Sequence, residues 1–322
     1  MSQLATVHVP VALKRFIELA GPALSQPGAV FIDATIGLGG HAEAVAAQFD
    51  QTRIIGLDRD PQAVARAKDR LARYGQRVKL IHANYQQLDQ VCDELGVGQI
   101  DLVLFDLGVS SLQLDQDTRG FAYSRPTPLD MRMDQGDQIT AAQILAAYSH
   151  AELVKVLRLY GQERFAVPIA SAIVSSRQVK PIETSDQLVE LIRQVIPQAA
   201  RRQGGHPAKR VFQALRMAVN SELPALQDAL PKAIDRLRIG GRIVVMSYQS
   251  LEDQLVKRVL AVGLTNRAPT RLPVVPTQDQ PYLVALTKGA ELASGDERQA
   301  NPRSKSLRLR AAEKTRQVSH ER

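Results

Sequence analysis

The sequence predicts an α/β protein in which a parallel sheet, covered by helices on both faces, is interrupted by a helical insertion and then completed. Near-continuous apolar runs separated by helical segments are typical of strands that are buried on both faces. Four such runs are predicted as strands: 29–33, 53–58, 78–82 and 100–106. Between the second and third runs, Asp60 followed by Pro61 predicts an N-cap and the first helical position.

The strand pattern breaks after Asp106. Residues 107–138 are rich in Gly, Ser, Asp, Arg and Pro and predict a long ordered loop, which we interpret as a lid. Helical periodicity then dominates to about Leu230, and strands return at 240–248 and 282–287. The predicted domains are a core in two parts (1–110 and 216–290), an inserted helical substrate-recognition domain (111–215) and a basic C-terminal tail (291–322).

Composition limits the class of protein. The net charge of +8 over 322 residues favours a polyanionic partner such as nucleic acid, with ordinary solubility charge as the alternative. Aromatic residues make up 4% and tryptophan is absent, which argues against a large base-stacking platform. The single cysteine, Cys92, excludes an intramolecular disulfide and fits a reducing cytoplasm. No secretory signal, long apolar run or metal-ligand spacing appears, so we expect no membrane and no metal.

A glycine-rich loop between the first strand and helix is the first candidate site. Its sequence is Asp33-Ala-Thr-Ile-Gly-Leu-Gly39-Gly40-His41, and Asp58 ends the next strand. Glycines allow close backbone approach to a ligand, and a carboxylate at that strand end can accept both ribose hydroxyls. The dinucleotide fingerprint G-x-G-x-x-G is not met. Because Asp33 would repel a pyrophosphate but suits a sulfonium, the pattern favours S-adenosylmethionine over a dinucleotide, with a plain glycine turn as the alternative.

Further candidates lie downstream. Asp106 ends the fourth strand at the edge that faces the ligand crevice of such sheets, although strand-end carboxylates are equally often simple solvent contacts. Residues 193–216 contain six basic residues and no acid, which predicts a phosphate-contacting surface or, alternatively, a solvated helix end. Residues 301–310 similarly predict a nucleic-acid arm or a flexible terminus. The candidate RNA contacts are Arg119, Arg132, Lys209, Arg210 and Arg303.

Taken in order, these segments resemble one family, the bacterial small-subunit ribosomal RNA cytosine-N4 methyltransferases known as RsmH, formerly MraW. The resemblance covers nearly the whole chain. The motifs that carry it are His8-Val-Pro-Val, the loop 33–41, Asp58-Arg-Asp-Pro, Asp106-Leu-Gly-Val-Ser-Ser, Gln113-Leu-Asp, Arg119-Gly-Phe, Pro128-Leu-Asp-Met-Arg-Met-Asp, His206-Pro-Ala, Val219-Asn, Ser250-Leu-Glu-Asp and Asn301-Pro-Arg. The segment 106–134 is the most specific.

The resemblance implies a Rossmann-like, S-adenosylmethionine-dependent methyltransferase core with an inserted helical domain. It implies methylation of the exocyclic N4 of a cytosine in the decoding region of 16S rRNA, with the small ribosomal subunit as partner. It places cofactor contacts at Gly39, Gly40, His41, Asp58, Tyr85, Asp106 and Gln113. The chain departs from the family in having Tyr248-Gln249 where Phe-His is common, and Pro126-Thr127 where Asp-Gly is common.

Cytosine N4 is a poor nucleophile because its lone pair is conjugated into the ring, so an acceptor on its N–H would assist the reaction. The candidate acceptor is Asp106, acting directly or through the backbone carbonyl of Leu107 or Gly108; Asp106 could instead contact only the cofactor. Two rival functions stay open: methylation of DNA or protein, and a non-enzymatic assembly factor with a vestigial pocket. The missing Asn/Asp-Pro-Pro-aromatic motif weighs against the DNA version, and the intact loop weighs against the assembly factor. The sequence leaves monomer and homodimer equally open.

Overall fold

The computed structural model describes residues 10–201, 206–266, 276 and 279–317. Its seven strands are β1 Val30–Asp33, β2 Arg53–Asp58, β3 Val78–His82, β4 Ile100–Asp106, β5 Leu237–Ser247, β6 Leu283–Ala285 and β7 Arg308–Lys314. Its helices are α1 Leu13–Leu24, α2 Gly40–Gln48, α3 Pro61–Leu71, α4 Leu88–Glu94, α5 Ser111–Asp115, α6 Ala141–Ala147, α7 His150–Leu159, α8 Ala166–Arg177, α9 Ser185–Val195, α10 Gln198–Arg201, α11 Lys209–Val219, α12 Glu222–Arg236, α13 Ser250–Leu264 and α14 Gly295–Ala300. The predicted α/β class is confirmed.

The described residues form two compact units, one from residues 1–108 and 223–322 and the other from 109–222. The first unit contains one sheet in the order β3-β2-β1-β4-β5-β7-β6. Strands β1 to β5 are parallel, whereas β7 runs antiparallel between β5 and β6. The parallel strands therefore all bring their carboxyl ends to one edge of this sheet, which is where ligands bind in open α/β sheets.

Side chains along the parallel strands point alternately to the two faces of the sheet, and each face has its own hydrophobic core. Phe31 and Ile54 pack with apolar residues of α1, α2 and α3 on one face. Ile32 and Ile55 pack with α4, α12 and α13 on the other. Successive strand residues point to opposite faces, so both faces must be apolar, and this explains the near-continuous hydrophobic runs in the sequence.

The predicted basic tail is wrong for residues 308–314, which form β7 inside the sheet. Its pattern was obscured because charged and small residues alternate there, with Leu309, Ala311 and Ala312 buried. Lys314 is also buried, and its amino group donates to the carbonyl oxygens of Ile234 and Asp235 at 3.0 and 2.8 Å. A buried cation is tolerated here because it satisfies carbonyls at the end of α12.

The second unit is helical, and the compact unit 109–222 contains the predicted insertion 111–215. The predicted long ordered loop over 107–138 is more structured than expected. That segment contains α5 and a 3₁₀ turn at Asp117–Arg119, and it contributes Phe121, Leu129, Met131 and Met133 to the helical core. Helix periodicity could not reveal this, because these side chains are buried from irregular backbone.

Candidate active site

The glycine-rich loop joins β1 to α2 and is held by the backbone. Ile36 N–H donates to the carbonyl oxygen of Leu57 at 2.8 Å, and Gly39 N–H donates to that of Ile36 at 2.7 Å. Gly37 and Gly39 have φ angles of 51° and 77°, in the left-handed region that favours glycine. Helix α2 begins at Gly40, so the unpaired N–H groups of its first turn follow the loop directly.

Three carboxylates end three adjacent parallel strands beside this loop: Asp33 on β1, Asp58 on β2 and Asp106 on β4. Each oxygen of Asp58 accepts a backbone hydrogen bond at 2.9 Å, one from Gly37 N–H and the other from Asp60 N–H. Burial raises the pKa of Asp58 to about 6, although these two hydrogen bonds oppose the shift. The oriented carboxylate is suited to accept the hydroxyls of a ribose.

Asp33 is buried, and Thr35 N–H donates to its Oδ1 at 3.2 Å. Desolvation raises the pKa of Asp33 to about 8, and the nearby charges of Asp106 and Asp58 raise it further. A site that disfavours negative charge on Asp33 to this extent also disfavours an anionic phosphate. A ligand that brings a positive charge relieves the repulsion among the three acids, so these residues fit the sulfonium and amino groups of S-adenosylmethionine.

Asp106 is held by two residues that follow neighbouring strands, Thr35 after β1 and Tyr248 after β5. Its backbone N–H donates to Thr35 Oγ1 at 2.7 Å, and Tyr248 O–H donates to its Oδ1 at 2.8 Å. In the sequence, Tyr248 stands out only as a departure from the family pattern. Tyr248 directly follows β5, which pairs with β4, and the register that sets Asp106 opposite Met246 brings the two side chains together; this register is visible only in the structure.

Two of the remaining predicted cofactor residues lie in the same unit. His41 is buried, with Nε2 3.0 Å from the carbonyl oxygen of Val11 and Nδ1 3.8 Å from Asp106 Oδ2. Tyr85 follows β3, and its ring meets Phe105 edge-on with 5.8 Å between centroids. Direct contact of either side chain with cofactor stays a prediction.

Gln113 belongs to the helical unit. Its side-chain oxygen accepts from Ser110 N–H at 3.1 Å and, with the reciprocal bond to Ser110 Oγ, caps α5. Its predicted cofactor contact is untested.

The structure contradicts Arg119 as an exposed RNA contact. Its side chain is fully buried, and Nη2 donates to the carbonyl oxygens of Arg132 and Met133 at 3.2 and 2.7 Å. Arg132 forms a two-pronged ion pair with Asp130, with Nε–Oδ1 at 2.9 Å and Nη2–Oδ2 at 2.7 Å. Its Nη1 donates to two further carbonyl oxygens. Both arginines therefore stabilise the 128–134 segment; burial rules out a surface contact by Arg119, and an RNA contact by the partly exposed Arg132 stays a prediction.

The other three RNA candidates, Lys209, Arg210 and Arg303, are exposed. Lys209 and Arg210 begin α11, where Arg210 Nη1 donates to the carbonyl oxygen of Gln162 at 3.4 Å. Arg202, which belonged to the same predicted surface, lies outside the described residues, as does His8 of the N-terminal motif. An RNA contact by the three exposed residues stays a prediction.

The described part of the chain offers neither a metal-binding cluster nor a membrane-spanning helix. No group of three or more His, Cys, Asp or Glu side chains there is arranged to hold a metal ion. No helix there is long and apolar enough to cross a membrane.

A parallel sheet with a glycine-rich loop after β1 and acids at three strand ends defines a Rossmann-like methyltransferase site. Residues 5–315 match the MraW methylase family, and the chain belongs to it. A ribosomal RNA small subunit methyltransferase H from Beutenbergia cavernae is 56% identical, with 98% of this chain and 95% of the relative covered. Its counterpart from Thermobifida fusca is 54% identical, with 97% and 95% covered. The predicted family and the assignment as a methyltransferase are confirmed.

Among solved structures, an rRNA methylase from Streptococcus thermophilus is similar at 14% identity and a TM-score of 0.42, with 97% of this chain and 100% of that chain covered. A methyltransferase from Streptococcus mutans in complex with S-adenosylhomocysteine is similar at 15% identity and a TM-score of 0.42, with 92% and 97% covered.

Proposed function

We propose that this methyltransferase transfers a methyl group from S-adenosylmethionine to the exocyclic N4 of a cytosine in the decoding region of 16S rRNA, acting on the small ribosomal subunit in the cytoplasm. The observation that supports S-adenosylmethionine as the cofactor is a set of three acids on adjacent strand ends beside the glycine-rich loop: Asp33, Asp58 and Asp106. Family membership over residues 5–315 supports the RNA substrate.

The three acids have different roles: Asp58 and Asp33 bind the cofactor, and Asp106 acts on the substrate. Asp58 accepts from the ribose, since both its oxygens are fixed by backbone N–H groups. The loop at 37–40 gives the backbone close approach, and Asp33 faces the cationic part of the ligand. When bound, S-adenosylmethionine supplies a methyl group activated by the sulfonium.

Asp106 acts on the substrate amine. The N4 lone pair is delocalised into the ring, and a carboxylate that accepts one N–H localises it and takes up the proton as methylation proceeds. Holding the amine in line with the methyl group supplies much of the remaining rate. The target cytosine leaves its stack to reach the strand ends.

The test uses small subunits purified from a strain that lacks its own enzyme of this kind. The full chain is incubated with methyl-labelled S-adenosylmethionine and these subunits, and the digested 16S rRNA is analysed by mass spectrometry. We expect N4-methylcytidine at one decoding-region position. Naked 16S rRNA is assayed in parallel to identify the form of RNA that the enzyme accepts.

The same experiment separates the rivals. Label in DNA or in ribosomal protein, with none in 16S rRNA, would sink the proposal in favour of a different substrate. Absence of label everywhere, together with subunit binding, would favour an assembly factor. An Asp58→Asn variant is the matched control, because it removes one ribose acceptor and should lose labelling through weaker cofactor binding.

A further inference from the structure

We propose that Tyr248 is a positioning residue that holds Asp106, and that His41 shares with Asp106 the proton released by the substrate amine. The inference rests on the proposed function for the identity of the amine. It concerns residues of the first unit alone, and it gives Tyr248 and His41 roles beyond any contact with the cofactor.

Tyr248 is fixed before it meets Asp106. The backbone N–H groups of Tyr248 and Gln249 both donate to Oε2 of Glu252 at 2.9 Å, at the first turn of α13. The Tyr248 hydroxyl then donates to Asp106 Oδ1 at 2.8 Å. Burial and the Asp106 charge raise the pKa of Tyr248 well above its ordinary value, so the hydroxyl keeps its proton. One carboxylate oxygen is thus assigned to a rigid donor, and the plane of the carboxylate is set.

His41 faces the other carboxylate oxygen of Asp106, Oδ2. Its Nε2 lies 3.0 Å from the carbonyl oxygen of Val11, which can only accept, so Nε2 carries the hydrogen. Burial lowers the pKa of His41, although Asp106 opposes the shift, so the ring is neutral at pH 7. Its Nδ1 therefore presents a lone pair 3.8 Å from Asp106 Oδ2.

A lone pair that faces a carboxylate is repelled by it, whereas a proton between the two is attracted by both. The pair is therefore poised to take up one proton. Asp106 Oδ2 receives it as the N4–H bond breaks with its electrons remaining on nitrogen, while the N4–carbon bond forms and the carbon–sulfur bond breaks with its electrons remaining on sulfur. His41 Nδ1 shares the proton until it passes to water with product release.

Other charges face this pair and contribute to its titration. Asp33 lies near Asp106, and Glu297 lies near both His41 and Tyr248. Glu252 lies against Tyr248. All three are acids, so they favour the protonated pair. The titration accordingly belongs to the group as a whole, and the experiment compares variants with the parent protein.

Tyr248→Phe and His41→Gln are the test variants. Phenylalanine removes only the hydroxyl, whereas glutamine keeps an N–H for Val11 and removes the Nδ1 acceptor. Single-turnover methylation is measured from pH 5 to 9. In Tyr248→Phe, loss of a hydrogen bond to the carboxylate should move the acidic limb of the pH–rate profile up by about one pH unit. In His41→Gln, loss of the acceptor that shares the proton should move that limb to lower pH. The cofactor Kd of Tyr248→Phe should stay within about twofold of the parent.

A second readout needs no turnover. In protein labelled with ¹³C-histidine and free of cofactor, the resonance that His41→Gln deletes is followed with pH, and in Tyr248→Phe it should titrate at higher pH. Tyr74→Phe is the matched control, since Tyr74 precedes β3 at the opposite edge of the sheet and its hydroxyl accepts from Arg73 at 2.8 Å; it should change neither readout.

Three results would overturn the proposal: an acid limb that Tyr248→Phe leaves in place, limbs that move in the same direction in both variants, or a His41 titration unaffected by Tyr248→Phe. A parent enzyme that labels no cytosine N4 overturns the proposed function instead, and the cofactor-free titration still decides whether the pair exists.

Discussion

Replacing Asp33 by asparagine should stabilise the unliganded protein while weakening cofactor binding. Asp33 is 1% exposed, and desolvation raises its pKa from 3.8 to about 8. A carboxyl group whose pKa is higher in the folded protein opposes folding above its unfolded pKa. The penalty is absent below pH 3.8, grows as the pH rises and levels off above pH 8.

The size of the folding penalty follows from the interval between the unfolded pKa of Asp33 and the pH of the measurement. At 1.36 kcal/mol per pH unit, the penalty is about 2 kcal/mol at pH 5 and about 4 kcal/mol at pH 7. Asparagine is neutral throughout and keeps an oxygen for Thr35 N–H, which donates to Asp33 Oδ1 at 3.2 Å. The free energy of unfolding of Asp33→Asn should therefore exceed that of the parent by an amount that increases with pH.

Urea denaturation of both proteins at pH 5 and pH 7 measures this difference. Asp253→Asn is the matched control, because Asp253 is also buried but is paired with Arg310, at 2.7 Å from Nε; that variant should lose stability. Calorimetric titration should show weaker S-adenosylmethionine binding to Asp33→Asn. A stability difference that is equal at the two pH values would refute the reasoning, since the penalty would then not come from ionisation.

Three further predictions follow from the same contacts. Because the pKa of Asp58 is about 6 in the unliganded protein, the Kd for S-adenosylhomocysteine should rise about tenfold per pH unit below that value, and a flat calorimetric Kd from pH 7 to 5 would exclude the ribose role. Asn220→Ala should lower the free energy of unfolding by about 3 kcal/mol in denaturant melts, because it removes the side chain that pairs with the Met131 carbonyl oxygen and the Met133 N–H. Lys209→Ala should weaken RNA binding without altering Tm and lower the salt slope by about 1, whereas Arg132→Ala should lower Tm.

The parallel half of the sheet was predictable because its information is local. Strands β1 to β4 are single apolar runs, and the N-cap at Asp60, which accepts from Gln62 N–H at 3.0 Å, is written in two adjacent residues. The three acids could be placed together from sequence because parallel strands that are connected by helices end at one edge. Strand β7 was missed because its burial depends on β5 and β6, which lie far away in the chain.

The Asp106–Tyr248–His41 arrangement was out of reach for a related reason. Asp106 and Tyr248 are separated by 142 residues, and an entire helical unit is inserted between them. The register of β4 against β5 brings the Tyr248 hydroxyl to Asp106. That register cannot be read from the spacing of residues in the sequence. Likewise, His41 was predicted as a ligand contact because it belongs to the glycine motif, yet its ring is directed to Val11 and Asp106.

Part of the segment that best identifies the family has a structural role within the helical unit. Residues 128–134 belong to the segment 106–134, whose resemblance to the family is the most specific, yet polar groups of residues 130–133 are engaged within their own unit. Met131 adopts a left-handed φ of 62°, its carbonyl oxygen accepts from Asn220, and its N–H donates to the carbonyl oxygen of Arg119. Since a buried left-handed methionine persists only where its surroundings hold it in place, the segment is specific because it is rigid. These residues therefore stabilise the helical unit, and an RNA contact by exposed cations such as Lys209 stays a prediction.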